Sequence, residues 1–388
     1  MQFADRLQPL RTNVFARMDV AKARTRAAGQ DLIDLSLGSS DLPAPSHALE
    51  AIAQALPDPS THGYLLHQGT RPFRQAAAQW YARKFGLAVD PDTEVLLLIG
   101  SQEGTGHMPL ALLNPGDIAL LPDPCYPSHP GGIHLASGQI HWMPLRAEHQ
   151  FLPVFEDIPT EILPRTRMMV LSYPHNPTAA IATPAFFASA VDFCQRHDIA
   201  LIHDFPYPDW GFDGIEVPSV LQTDRDKTTS IEFFSLSKSY NMGGFRVGYA
   251  IGNPELIAAL RTVKSVVDFN QYQGILAGAI AALSGPQDIV AITNQRFKAR
   301  RDAFVSALHG IGWPVQCPPA TMYVWAQLPE PWQQDSMKFG LELVEQAGVA
   351  VSPGIGFGAS GEGYVRFALV HEPAVLEEAV RRIKTFLR

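Results

Sequence analysis

Short apolar runs recur along the middle of the chain: "EVLLLIG" (Glu94 to Gly100), "DIALLPDP" (Asp117 to Pro124), "RMMVLSYP" (Arg167 to Pro174), "IALIHD" (Ile199 to Asp204) and "IEFFSLS" (Ile231 to Ser237). Between them lie longer segments with apolar residues at helical spacing, among them Phe73 to Phe85 and Pro184 to Arg196. A strand that is apolar at consecutive positions is covered on both faces, as in a parallel sheet flanked by helices. The alternation therefore predicts an α/β fold. From about Pro286 the grouping changes. A long charged helix ("IVAITNQRFKARRDAFVSALHGIG") leads into "MYVWAQL", a helix from Gln334 to Ala347, "VAVSPG", "GYVRFAL" and a last helix ending at Arg388. This predicts a smaller α+β domain over 286–388, a large domain over 46–285, and an N-terminal segment, 1–45, packing with the small one. A weakly amphipathic helix is expected around Val14 to Ala28, and "ILAGAIAAL" (Ile275 to Leu283) reads as a buried helix.

Composition narrows the partners. The 388 residues carry a net charge of −8 and no dense basic run, which argues against nucleic acid. No apolar run approaches the ~18–20 residues of a membrane span. The N-terminus has Asp5 and no continuous apolar core, so it does not read as a signal peptide. Cys125, Cys194 and Cys317 are odd in number and widely spaced, which points to a reducing compartment, with no disulfide or zinc framework. The expectation is a cytoplasmic protein without a metal.

Ligands of open α/β sheets bind at the carboxyl ends of the strands. Read to its end, each run delivers something reactive. "RMMVLS" is followed by "YPHNPT" with Asn176, "IALIH" by "DFPYPDW" with Asp204 and Tyr207, and "IEFFSLS" by Lys238. "EVLLLIG" leads into "SQEG", which begins a helix, and "IALLPDP" into "CYP" with Tyr126. Singly, these have ordinary readings: a turn cap for Asp204, a solvated loop for Lys238, packing for Tyr126. Together they meet the needs of pyridoxal phosphate. Its aldehyde needs a lysine amine and its ring nitrogen a carboxylate, Asp204. Its ring oxygen needs donors such as Asn176 and Tyr207. Its phosphate needs hydroxyls (Ser235, Ser237), an arginine (Arg246) and the helix start at Ser101.

The lysine segment "SLSKSYNMGGFRVGYAIGN" resembles the S-x-S-K-x-x-x-x-x-G-x-R-x-G signature of the class I/II aminotransferases, and "YPHNPT" and "DFPYPDWGFDG" resemble that family's two upstream motifs in the right order. The likeness runs from "DLSLGSSDLPAP" to "GYVRFAL". It implies a fold type I transferase, with a mostly parallel seven-stranded sheet flanked by helices and a smaller α+β domain. It also implies a ping-pong, Schiff-base transamination between an amino acid and a 2-oxo acid such as 2-oxoglutarate. By resemblance, Lys238 is the Schiff-base lysine and proton shuttle, Asp204 pairs with the ring nitrogen, Asn176 and Tyr207 bind the ring oxygen, and Tyr126 stacks on the ring. Ser101, Gln102, Ser235, Ser237 and Arg246 surround the phosphate. Arg366 matches the arginine that grips the substrate α-carboxylate, with backbone contacts near Leu37 and Gly38. Tyr64, in "GYLLHQG", matches a tyrosine that reaches the phosphate of the neighbouring subunit, which implies a homodimer with shared sites. The chain departs from the pattern at Ala179 and Ser36, where glycine is common, and at Gly243 and Phe245, where a larger residue and a tryptophan are frequent.

The motifs look most like the branch containing the LL-diaminopimelate aminotransferases, which makes that substrate or an aspartate/glutamate-type one the expectation. A distal carboxylate would need another cation. Arg11, Arg24 and Arg26 are candidates by proximity, with Asn270 or Gln271 for polar contacts, although solvation is the simpler reading of each. A carbon–sulfur β-lyase on the same scaffold is the alternative, and a non-enzymatic regulatory domain a remote one. Gly356, Gly358 and Gly361 have dinucleotide-fingerprint spacing, but a strand rather than a helix follows them. The 13 histidines show no metal-ligand spacing and read mostly as surface or core residues.

Overall fold

The computed structural model describes residues 1, 3–10 and 14–388, so Arg11 lies outside the described residues. The described strands are β1 (Ile33–Asp34), β2 (Val95–Leu98), β3 (Ile118–Asp123), β4 (Gln139–Pro144), β5 (Thr166–Leu171), β6 (Ala200–Asp204), β7 (Ser230–Ser235), β8 (Gly248–Gly252), β9 (Tyr323–Gln327), β10 (Val349–Ala350), β11 (Ser352–Pro353) and β12 (Tyr364–Ala368). Each of the five apolar runs supplies a strand of one seven-stranded sheet, ordered β2-β8-β7-β6-β5-β3-β4. Neighbours from β7 to β4 pair in parallel. Only β8 runs against its neighbours β2 and β7. The fold is α/β and mostly parallel, as expected.

Every residue of β2, β3 and β8 is buried because helices cover both faces. Leu97 and Leu120 pack with Phe73, Trp80, Phe187 and Leu276 on one face. Leu96 and Leu121, their chain neighbours, pack with Met108, Ile133 and Leu260 on the other. That period-two division is the strand geometry. Truncating a fully buried phenylalanine such as Phe187 would cost about 3–5 kcal/mol. The expected helices are observed over Val14–Ala27, Arg71–Phe85, Pro184–His197, Gln273–Ser284 and Ser336–Ala347.

No apolar run singled out in the sequence corresponds to β4 or β8. Strand β4 is an edge strand whose Gln139, Trp142 and Pro144 are exposed, and β8 is five residues long with a glycine at each end. The second omission matters for the site. Because β8 is antiparallel to both neighbours, β2 and β7 run the same way, and Leu98 and Ser235 both lie in register with Gly248. The helix start after β2 thus lands beside the lysine turn after β7.

A second, antiparallel sheet, β11-β12-β9, packs with the helices Asp288–Gly310 and Pro373–Phe386 through Phe304, Phe367 and Leu376. β1 pairs in parallel with β10, and Met18 and Ala21 of the first helix pack on Met337 and Val344. "GIGFGASG" forms short 3₁₀ turns before β12, so no helix follows the glycines. Among the described residues, no single helix is long and apolar enough to cross a membrane.

Candidate active site

The carboxyl ends of β3, β5, β6 and β7 and the start of the helix Ser101–Leu112 open onto one cavity of about 300 Å³. The sequence-assigned residues Asn176, Asp204, Tyr207, Lys238, Tyr126 and Arg366 line it. So do Ser101, Gln102, Ser235, Ser237, Arg246, Leu37 and Gly38. Tyr64 does not. Its side chain is 87% exposed and its ring lies 5.3 Å from that of Phe269.

At one end of the cavity, Gly100 precedes the helix Ser101–Leu112 with φ +75°, a left-handed conformation that glycine adopts without strain. Among the described residues no side chain caps this helix, so its first N–H groups stay available. The Arg246 guanidinium packs against Gly100, where a side chain would collide with it, and Nη1 donates to Gly243 O at 2.9 Å. Ser235 Oγ accepts from Ser237 N at 3.2 Å, which shapes the four-residue turn bearing Lys238. Helix dipole, hydroxyls and guanidinium together suit a phosphate.

At the floor, Asp204 Oδ2 lies 2.9 Å from His129 Nε2, both side chains being buried. Asp204 Oδ1 is buried with no partner among the described residues. An unpaired buried carboxylate oxygen is costly, so this geometry calls for a cationic or N–H ligand. Lys238 Nζ donates to Gly38 O at 2.5 Å. Tyr207 O–H donates to Tyr323 O at 3.1 Å. Burial, and then the neighbouring Tyr323, push the Tyr207 phenol well above its ordinary value. For Tyr323 burial acts the same way, but the Lys238 ammonium and the Arg366 guanidinium outweigh it and hold that phenol below its ordinary value.

Arg366, on β12, donates from Nη1 to Asn176 Oδ1 at 2.8 Å and from Nη2 to Ser36 O at 2.7 Å. Its guanidinium lies 4.3 Å from the Tyr323 ring and 4.7 Å from the Phe357 ring. The bond from Arg366 commits the Asn176 amide oxygen and leaves its NH₂ end as the donor. Among the described residues, none of the three cations lining the cavity, Lys238, Arg246 and Arg366, forms an ion pair with a carboxylate of the chain.

One departure from the motif directly follows the "YPHNPT" loop. Ala179 has φ +62°, where glycine would be relaxed and alanine is strained by about 1 kcal/mol. His175 in the same loop is fully buried against Thr178 Oγ1 at 2.8 Å, and burial, with His129 nearby, drives its imidazole down to about 3.

Sequence reasoning misses two site residues. His129 reads there as one of the surface or core histidines, but it meets Asp204 from 75 residues away, a pairing no spacing reveals. Tyr323 sits in an apolar run that reads only as strand. Beneath the floor, His203 and Glu232 form a second unforeseen group: Nδ1 lies 2.9 Å from Oε1, and Ser219 Oγ and Val220 N also donate to the carboxylate. The distal-group candidates are not brought to the cavity. Arg24 is exposed, and Arg26 pairs with Asp34. Asn270 donates to Leu65 O, and Gln271 to Leu98 O and Arg246 O.

Comparison with known proteins agrees with this chemistry. The family model "Aminotransferase class I and II" matches residues 30–383. An LL-diaminopimelate aminotransferase of Dehalococcoides mccartyi is 42% identical over 386 residues, covering 100% of this chain and 99% of the relative. The glutamate-pyruvate aminotransferase AlaC of Escherichia coli is 40% identical, covering 99% of this chain and 93% of the relative. Among solved structures, a probable N-succinyldiaminopimelate aminotransferase from Thermus thermophilus superposes with a TM-score of 0.91 at 44% identity, covering 96% of this chain and 99% of the other.

Proposed function

The chain belongs to the class I and II aminotransferases, pyridoxal-phosphate-dependent transaminases, and from that premise we propose that its cavity exchanges an amino group between an amino acid and a 2-oxo acid, with a substrate of the LL-diaminopimelate or glutamate type and 2-oxoglutarate or pyruvate as acceptor. One observation carries this reading: among the described residues, three cations without carboxylate partners share a cavity with the buried carboxylate of Asp204, whose Oδ1 has no partner. An anionic ligand with a cationic ring, followed by a substrate carboxylate, satisfies all of them.

The residues fit pyridoxal phosphate. Asp204 Oδ1 would hold the ring nitrogen's proton, with His129 keeping the carboxylate oriented through Oδ2. Asn176 and Tyr207 would donate to the ring oxygen, and Tyr126 would cover the ring. Ser101, Gln102, Ser235, Ser237 and Arg246 would hold the phosphate. Bound there, the cofactor supplies an aldehyde for amine exchange and a ring that stabilises negative charge at the substrate α-carbon.

The chain's own groups do the rest. Lys238 Nζ takes the proton from the substrate α-carbon and returns it during the exchange, the work of a positioned base and acid. Arg366 presents its planar fork to the α-carboxylate and fixes the direction of the α-C–H bond, an orientation effect. Gly38 O, now on Lys238 Nζ, and Ser36 O, on Arg366 Nη2, keep the strap Ser36–Ser39 against the site, next to the entering carboxylate.

We read the protein as a cytoplasmic homodimer in which Tyr64 completes the site of a second copy. Its support is the exposure of the apolar residues Tyr64, Leu66, Val266, Val267 and Phe269, with the Tyr64 and Phe269 rings 5.3 Å apart. The division at 45/46 and 285/286 is retained as part of the same reading, supported by the pairing of β1 with β10. The names of the relatives favour transamination over the lyase and regulatory alternatives.

The test is a screen of amino donors with purified, cofactor-loaded protein. Glutamate, alanine, aspartate, LL-diaminopimelate and the thioether amino acid cystathionine, which carries a β-sulfur leaving group, are each offered with 2-oxoglutarate or pyruvate and without any 2-oxo acid, and keto-acid formation and ammonia release are both measured. Turnover that requires a 2-oxo acid and releases no ammonia is expected. Ammonia and pyruvate release without any added 2-oxo acid would refute the transaminase reading.

A further inference from the structure

The two phenols of Tyr207 and Tyr323 come from parts of the chain 116 residues apart. Backbone bonds fasten those parts together: Thr321 N donates to Trp210 O at 3.1 Å, and Phe212 N to Pro319 O at 2.9 Å. Gly211 and Ala320 form an isolated antiparallel bridge between them. Both rings are buried, and the Tyr323 hydroxyl also rests on the backbone of Gly38, where any side chain would strike it. Burial of both rings and these backbone bonds bring the two hydroxyls within 3.1 Å.

A phenol has one proton and can accept as well as donate. In the present arrangement Tyr207 gives its proton to Tyr323. The proposed function needs that same proton for the cofactor's ring oxygen, and Tyr207 cannot give it to both. Reversing the bond resolves the conflict without moving a heavy atom.

We propose that Tyr323 is a positioning residue, whose hydroxyl donates to the Tyr207 oxygen and thereby turns the single Tyr207 proton toward the ring oxygen of the bound cofactor. The inference rests on the assignment of Tyr207 made above. Charge favours this direction. The Arg366 guanidinium, 4.3 Å from the Tyr323 ring, works against burial to lower that phenol and stays in place when Lys238 is joined to the cofactor, while burial raises Tyr207, so the better donor faces the better acceptor. The other ionisable group facing the pair is Tyr126, beyond which Asp204 and Arg246 line the same cavity. A donor bonded to the Tyr207 oxygen also strengthens the bond Tyr207 makes in turn.

The experiment is a pH titration of the visible absorption band of the loaded enzyme without amino substrate, for the parent, Tyr323→Phe, Tyr207→Phe and the double variant. Phenylalanine keeps the ring that packs on Arg366 and removes only the hydroxyl. Less stabilisation of negative charge on the ring oxygen makes the adjoining lysine-linked nitrogen more basic, so the midpoint rises. Tyr207→Phe should raise it by about one to two pH units, and Tyr323→Phe by about half to one. In the Tyr207→Phe background the second substitution should add nothing, because Tyr323 then has no relay to act on. No shift in Tyr323→Phe, a downward shift, or a shift that persists in the Tyr207→Phe background overturns the inference alone. No shift in Tyr207→Phe overturns the assignment of Tyr207 as well.

Discussion

Replacing Arg366 by lysine would keep one positive charge and lose the planar fork. In the structure that fork is fully formed: Nη1 is 2.8 Å from Asn176 Oδ1, Nη2 is 2.7 Å from Ser36 O, and the guanidinium lies against the Tyr323 and Phe357 rings. A substrate carboxylate meeting this group makes two charge-assisted hydrogen bonds, whereas an ammonium offers one of comparable geometry. Losing one such bond costs about 1.5–3 kcal/mol. At 1.36 kcal/mol per factor of ten, kcat/KM for the amino acid should fall by about 10- to 150-fold. The assay pairs each amino acid with the amine that has the same side chain but no carboxylate. For the amine, Arg366→Lys should leave kcat/KM within about threefold of the parent, since nothing there uses the fork. A thermal melt checks that the buried substitution leaves the fold intact. Equal losses for amine and amino acid, or a loss below threefold for the amino acid, would refute the assignment of Arg366 to the α-carboxylate.

Lys238→Ala should still take up pyridoxal phosphate, through the phosphate contacts and Asp204, but turnover should fall by at least about 10²- to 10⁴-fold. Added small primary amines should restore part of it; undiminished turnover would eliminate Lys238 as the proton carrier. Glu232 is buried with His203, Ser219 and the Val220 N–H bonded to it, so Glu232→Ala should lose about 3–5 kcal/mol in urea unfolding, and a loss under 1 kcal/mol would contradict the network. His175 gives a pH effect. Its folded value of about 3 lies below the ordinary 6.5, so between those limits the unfolded chain binds the extra proton and stability falls as pH falls. Between pH 7 and pH 5 the parent should lose about 2 kcal/mol more than His175→Asn, and equal losses would show that the imidazole is not held neutral. Val266, 83% exposed and one of the apolar residues exposed with Phe269 and Tyr64, marks the proposed dimer surface. Val266→Asp should halve the mass seen in sedimentation, and an unchanged mass would move the interface elsewhere.

The strand-end residues are legible because a buried parallel strand advertises itself as an apolar run, and the residue that breaks the run is the one at its carboxyl end. Asp204 after "IALIH" and Lys238 after "IEFFSLS" stand out in this way. Nothing comparable marks His129, which lies between prolines in "PSHPGG", or Tyr323, which begins a strand whose next three positions, Val324, Trp325 and Ala326, are equally apolar. Their importance comes from what faces them: a carboxylate 75 residues away for His129, and a phenol 116 residues away for Tyr323.

Amino-acid order alone therefore determined the alternation of strands and helices, the carboxyl-end residues and the chemistry they bear, because burial on two faces and a ligand's needs are local constraints on residue type. Tertiary structure decided which of those ends became neighbours. The antiparallel strand Gly248–Gly252 places the helix start at Ser101 beside the Lys238 turn, and the pairing of Arg366 with Asn176 joins the small sheet to the large one. It decided as well which proton each buried group can offer. That depends on distances of about 3 Å between residues far apart in the chain, and chain order does not encode such distances until packing has fixed them.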